Sequence, residues 1–213
     1  MTNPLNDIEI RILGSLMEKS LATPEYYPLS LNALTNACNQ KSNRDPVVTY
    51  GEHEVQSTLD GMEEKGLVNR SAVGRVPKYE ETLSRSHNLV PCEIAALCVL
   101  MLRGPQTAGE IRARSGRLCA FESLASVDET MEKLADWELA ERLERLPGHK
   151  ESRFVHLLGD RSTPPKSVAE TSPPADEASL GERIALLEAE LSELQADMAA
   201  LKAAFQAFKA QFE

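Results

Sequence analysis

Cysteine and histidine are the side chains that most readily ligate metals or act as nucleophiles, and this chain has four of each. Cys38, Cys92, Cys98 and Cys119 include no Cys-x-x-Cys pair. His53, His87, His149 and His156 fall at no ligand spacing with them. Cys98 lies within an apolar run, where a free thiol packs as a small hydrophobe. All four cysteines are therefore expected as reduced, structural thiols, and the histidines as surface or satisfied core residues. No phosphate-cradling glycine loop, GxSxG or HExxH is present. The expectation is a chain with no catalytic residues, no metal and no cofactor.

The remaining chemistry is that of charge. Residues 67–79 hold Arg70, Arg75 and Lys78 and no acid, and residues 142–156 hold Arg142, Arg145, Lys150 and Arg153 against Glu144 and Glu151. Lys41 and Arg44 lie in an earlier polar stretch. These cations suit the phosphates of double-stranded DNA. They equally suit a solvated surface or pairing with neighbouring acids. Two other segments have the opposite sign: residues 49–66 carry a net -4 and residues 121–138 a net -5. An acidic helix is repelled from a DNA groove but suits a protein partner. Both partners therefore stay open, DNA through the cations and another protein through the acids. Asn32, Asn36, Asn39, Gln40 and Asn43 form an amide-rich run. Amides read adenine edges, and they also cap helices and build turns; the structural role is favoured.

The elements that position these residues come in two copies. Residues 12–20 match 95–104 at an offset of 84, and residues 59–70 match 131–142 at an offset of 72. The first copy thus has about 12 extra residues, assigned to TPEYYPLS and the stretch around NRDPVVTYG. Each copy reads helix, helix, helix, hairpin. In the first, Asn6 with Glu9 and Thr49 with Glu52 suit capping boxes, Ser30 suits an N-cap, and Gly66 suits a helix stop. In the second, Pro91 suits a first helical position, Thr107 with Glu110 another capping box, and Ser123 or Ser126 the start of the third helix. Val55, Leu59 and Met62 form a buried stripe that Val127, Met131 and Leu134 repeat. Three helices followed by a hairpin is a winged-helix order. Its third helix would ordinarily enter the major groove.

Residues 161–178 contain four prolines and almost no large apolar side chain, which predicts a linker. Residues 179–213 are proline-free and rich in Ala, Glu and Leu. There Leu180, Ile184, Leu187, Leu191, Leu194, Met198, Leu201, Phe205 and Phe208 alternate steps of four and three. That spacing predicts a parallel coiled coil joining two copies of the chain, with Arg183 facing Glu188 and Asp197 facing Lys202. An amphipathic helix folded back on its own domain is the alternative.

TPEYYPLSLNALTNACNQKSNRDPV, LRGPQTAGEIRARSGRL and PGHKESRFVHL resemble the YceH-type bacterial proteins, a group of unknown function. The resemblance covers residues 1–160. It implies a tandem winged-helix fold and supplies neither an activity nor catalytic residues.

The expected architecture is mainly α with small β-hairpins. Winged-helix domains span 1–85 and 86–160, followed by a linker over 161–178 and a coiled-coil helix over 179–213. No apolar run reaches the ~18 residues of a membrane span, and Asp7 and Glu9 spoil any signal pattern at the start. The expected location is the cytoplasm. With a net charge of -10, non-specific coating of a polyanion is not expected.

Overall fold

A computed structural model describes residues 4–71, 76–145 and 151–159. The expected linker at 161–178, the coiled-coil seam from Leu180 to Phe208, and the hairpin residues Arg75 and Lys150 lie outside the described residues. The first half runs α1 (Asp7–Ala22), a 3-10 turn (Pro24–Tyr26), β1 (Leu29–Ser30), α2 (Leu31–Cys38), α3 (Glu52–Glu64), β2 (Val68–Ser71) and β3 (Lys78–Glu81). After a single turn, α4 (Leu83–Ser86), come α5 (Pro91–Arg103), α6 (Ala108–Ser115), α7 (Leu124–Asp136), β4 (Ala140–Arg142) and β5 (Phe154–His156). The described residues are mainly helical, with small antiparallel sheets.

The second half repeats the first in detail. In the first, Leu29 pairs with Tyr79 and Val68 with Glu81, giving sheet order β1-β3-β2. In the second, Ala140 pairs with His156, and Gln106 bridges Phe154 as Leu29 bridges Tyr79. Leu59 and Met131 are both buried, as their matched places predict. The extra residues of the first half fall where expected, between α1 and β1 and between α2 and α3.

Helices α1 and α5 pack on each other at the centre. Both are buried nearly all round, α1 even at Glu9, Arg11 and Glu18. Gly14 permits the close approach. A Cβ there would stand 3.0 Å from Leu102 Cδ2 and 3.1 Å from Met101 Cβ. One apolar cluster then runs from Leu13 and Leu16 through Leu97 and Leu100 to Met131 and Leu134.

Most caps form as read: Asn6 with Glu9, Ser30, Thr107 with Glu110, and Ser123 ahead of α7. Gly66 follows α3 at φ 69°. Thr49 is a correction. Helix α3 starts at Glu52 behind Gly51, without a side-chain cap. Asn39 grips the Tyr50 backbone at both ends, accepting from its N–H and donating to its carbonyl at 2.8 Å each. That clamp occupies the stretch in which Thr49 would start the helix. Glu52 accepts instead from Asn32 at 2.9 Å.

The cysteines need a second correction. Cys38 and Cys98 are free and buried, but Cys92 and Cys119 form a disulfide with Cα atoms 5.2 Å apart. Packing of α6 against α5 brings the loop after α6 to the first turn of α5. This proximity leaves no mark in the cysteine spacing.

Candidate functional site

Of the first hairpin's expected cations, Arg70 and Lys78 lie among the described residues. Strand β3 alternates, turning Tyr79 inward and Lys78 outward, and Val68 of β2 is buried; Arg70, two residues after Val68 and paired with Tyr79, is nonetheless exposed. Neither Arg70 nor Lys78 has an ion-pair partner among the described residues. Acids are nonetheless near, since Glu80 accepts from Asn69 and lies 3.5 Å from Arg85.

Lys41 and Arg44, three residues apart, have opposite fates. Lys41 is exposed. The Arg44 side chain is fully buried and is removed from the set of contact residues. Its Nη2 lies 2.6 Å from Glu18 Oε2, and it also donates to the carbonyls of Ala37 and Asn43. Arg11 supports the same loop by donating to the carbonyls of Cys38 and Pro46. Burial, then the charge of Arg44, holds the Arg11 guanidinium below its ordinary pKa. Removing one partner of such a pair strands a buried charge, at a cost of ~3–5 kcal/mol. Arg44 therefore fastens the loop to α1.

Among the described residues of the second hairpin, Arg142 and Arg153 are committed within the fold. Arg153 Nη1 donates to Glu110 Oε2 at 2.8 Å and to the Pro105 carbonyl at 2.9 Å. Arg142 lies 2.6 Å from Asp128 and stacks 4.7 Å over the Phe154 ring. Those two contacts line an open groove of about 380 Å³ between α6, α7 and the hairpin. Arg145 is exposed at its rim without an ion-pair partner among the described residues.

The third helices face solvent with their acids. Glu52, Glu54, Asp60, Glu63 and Glu64 are exposed on α3, and Glu129, Glu132 and Asp136 on α7. Gln56 is held within the fold: it accepts from the Tyr79 hydroxyl at 3.0 Å and donates to Asp60 at 2.8 Å. The amide run is mostly structural too. Asn39 clamps Tyr50, Asn43 adopts φ 61° and accepts from Arg103, and Gln40 accepts from Lys19.

Sequence reasoning missed a further group of cations. Residues 103–118 hold Arg103, Arg112, Arg114 and Arg117 against Glu110 alone. That count was available in the sequence, but the segment lies in no hairpin. Arg112 fixes the loop ahead of α7 through the carbonyls of Phe121 and Glu122. Arg114 donates to Gln106 and lies 3.6 Å from Glu110.

Among the described residues, no three His, Cys, Asp or Glu side chains gather as a metal site, and no helix is long and apolar enough to cross a membrane. The family model described as "Protein of unknown function, DUF480" matches residues 5–149. A UPF0502 protein of Geobacter sulfurreducens is 50% identical over 196 residues, covering 88% of this chain and 89% of that protein. One from Koribacter versatilis is 46% identical over 196 residues, covering 91% of each. One from Saccharophagus degradans is 42% identical over 203 residues, covering 87% and 91%. The match spans both repeated halves and agrees with the YceH-type resemblance, so the chain belongs to the DUF480 family of uncharacterised bacterial UPF0502 proteins.

Proposed function

We propose that this is a non-enzymatic tandem winged-helix protein of transcription-regulator type, which associates with double-stranded DNA. In this reading it is a cytoplasmic dimer joined by the 180–208 seam, and it touches phosphates with its hairpins more than with its third helices. The supporting observation is the doubled arrangement itself. Each half has three helices, a return hairpin, and a short segment between the first two helices that bridges the second hairpin strand, Leu29 to Tyr79 and Gln106 to Phe154. The step from this fold to DNA is by analogy. The exposed Arg70, Lys78 and Arg145 supply the charge for it.

The test is fluorescence anisotropy with duplexes of unrelated sequence at two salt concentrations. Three phosphate contacts give a slope of log affinity against log salt near -2.7, so affinity falls roughly 40-fold between 50 and 200 mM salt. No binding at the lower salt overturns the reading.

The acids favour a second reading. Exposed carboxylates line both third helices, and Trp137 at the end of α7 is 48% exposed. Those faces suit a protein partner. Pull-down from lysate with and without nuclease separates the two, because a protein partner survives nuclease and one tethered by DNA does not.

A further inference from the structure

We propose that Lys41, Arg103, Arg114 and Arg117 form a phosphate-contact surface of their own at the joint between the two halves. The inference rests on the DNA reading above and adds a surface that no hairpin supplies.

The cations converge because loop and helix are tied together. The Asp45 N–H donates to the Leu102 carbonyl at 2.8 Å, and Arg103 Nη2 donates to Asn43 Oδ1. The loop bearing Lys41 therefore sits on the C-terminal end of α5. Arg114 reaches the same end through Gln106. Arg117 is exposed in the turn that follows α6, three residues after Arg114.

What sets Lys41, Arg103 and Arg117 apart from Arg44 and Arg153 is their partners, while Arg114 shares Glu110 with Arg153. Arg44 has Glu18 and Arg153 has Glu110. Arg103 and Arg114 donate to the neutral amides of Asn43 and Gln106, which satisfy a hydrogen bond without offsetting charge. Glu110 is already shared by Arg153, the Thr107 N–H and, at 3.6 Å, Arg114. Among the described residues, Lys41, Arg103 and Arg117 have no carboxylate within 4 Å. The Arg103 guanidinium is held below its ordinary pKa by burial, then by Arg114 and Arg44, against the opposing pull of Glu18 and Asp45. Guanidinium groups that outnumber the carboxylates near them attract an anion, and their planar forks match phosphate oxygens.

The test uses the full chain and a short fluorescent duplex. Arg117 is exposed without an ion-pair partner, so Arg117→Gln spares the fold. Arg103→Gln is added to it, and Arg103→Lys keeps the charge. The double Gln variant should lose roughly tenfold in affinity on every sequence tried, with the salt slope smaller by about 2. Lys133→Gln, an exposed cation on α7, should bind as wild type. If the wild type binds DNA and Arg70→Gln/Lys78→Gln weakens it, but the Arg103/Arg117 variant keeps wild-type affinity and slope, this inference is overturned and the hairpin reading stands. If the variant instead loses only a poly-glutamate peptide, the surface takes acidic protein and the inference is again overturned. A wild type that binds no DNA removes both.

Discussion

The two halves share one arrangement of elements and differ in how each secures it. The first half fixes the passage from its second to its third helix with polar clamps: Arg44 on Glu18, Arg11 on the Cys38 and Pro46 carbonyls, and Asn39 on Tyr50. The second half does the same with the Cys92–Cys119 bridge and with Arg112 on Phe121 and Glu122. The hairpins differ in the same sense. Among the described residues, the first leaves Arg70 and Lys78 without an ion pair, whereas Arg142 and Arg153 of the second pair with Asp128 and Glu110. A repeat thus preserves its core stripe while its surface charge diverges. In the first half the described hairpin cations, Arg70 and Lys78, are exposed. In the second, Arg142 and Arg153 hold the fold, and Arg103 and Arg117 have no carboxylate within 4 Å among the described residues.

The largest effect tests the shared core. Leu59→Ala and Met131→Ala remove buried side chains from matching places and should each cost ~2–5 kcal/mol in urea unfolding. A variant with unchanged stability would break the equivalence.

The bridge sharpens the difference. It closes a separation of 27 residues found only in the second half. Reduction, or Cys92→Ser, should lower stability by ~3 kcal/mol. Identical thermal unfolding with and without reductant would show that the bridge does not constrain the fold.

The same strand position then separates the halves by pH. Glu81 and His156 pair with the matched residues Val68 and Ala140. Glu81 accepts from the Ser84 N–H at 2.9 Å, whereas His156 Nδ1 is buried without a partner. Burial pushes the His156 pKa down to about 4, against the opposing pull of Asp7. Below pH ~6.5 the unfolded chain takes up a proton that the folded protein does not, so stability falls as pH drops from ~6.5 towards ~4. Between pH 7 and pH 5 the wild type should lose about 2 kcal/mol more than His156→Phe. Parallel curves would contradict this.

The smallest effect concerns helix ends. Gly66 after α3 and Glu138 after α7 both have positive φ, 69° and 56°. Gly66→Ala should cost about 1 kcal/mol and Glu138→Gly should gain about as much, because only glycine adopts this conformation without strain. Equal and opposite shifts in the unfolding midpoint are the check.

Local signals made most of the fold legible. Asn6 with Glu9, Thr107 with Glu110, and the stripes through Leu59 and Met131 each act within one or two helical turns, and sequence spacing records such distances. The misses depend on long-range contact. Arg44 sits in a polar run that reads as solvent-facing, and its partner Glu18 lies 26 residues earlier on a helix whose whole circumference is buried. Asn39 displaces the Thr49 cap by clamping Tyr50, 11 residues away. Strand β1 has two residues, too few for a periodicity. Of the hairpin and loop cations, exposure of Arg70, Lys78, Lys41 and Arg145 follows from their setting, while the pairing of Arg153 needs α6 beside it.

Affinity for DNA, with the first hairpin set against the first third helix, tests the account most directly. Arg70→Glu/Lys78→Glu should weaken binding to all duplexes alike and lower the salt slope by about 2. His53→Ala/Ser57→Ala, at exposed positions of α3, should bind as wild type. A hairpin variant that binds as wild type, with sequence-specific loss on changing His53 and Ser57, would contradict the account and assign reading of DNA to the acidic helix.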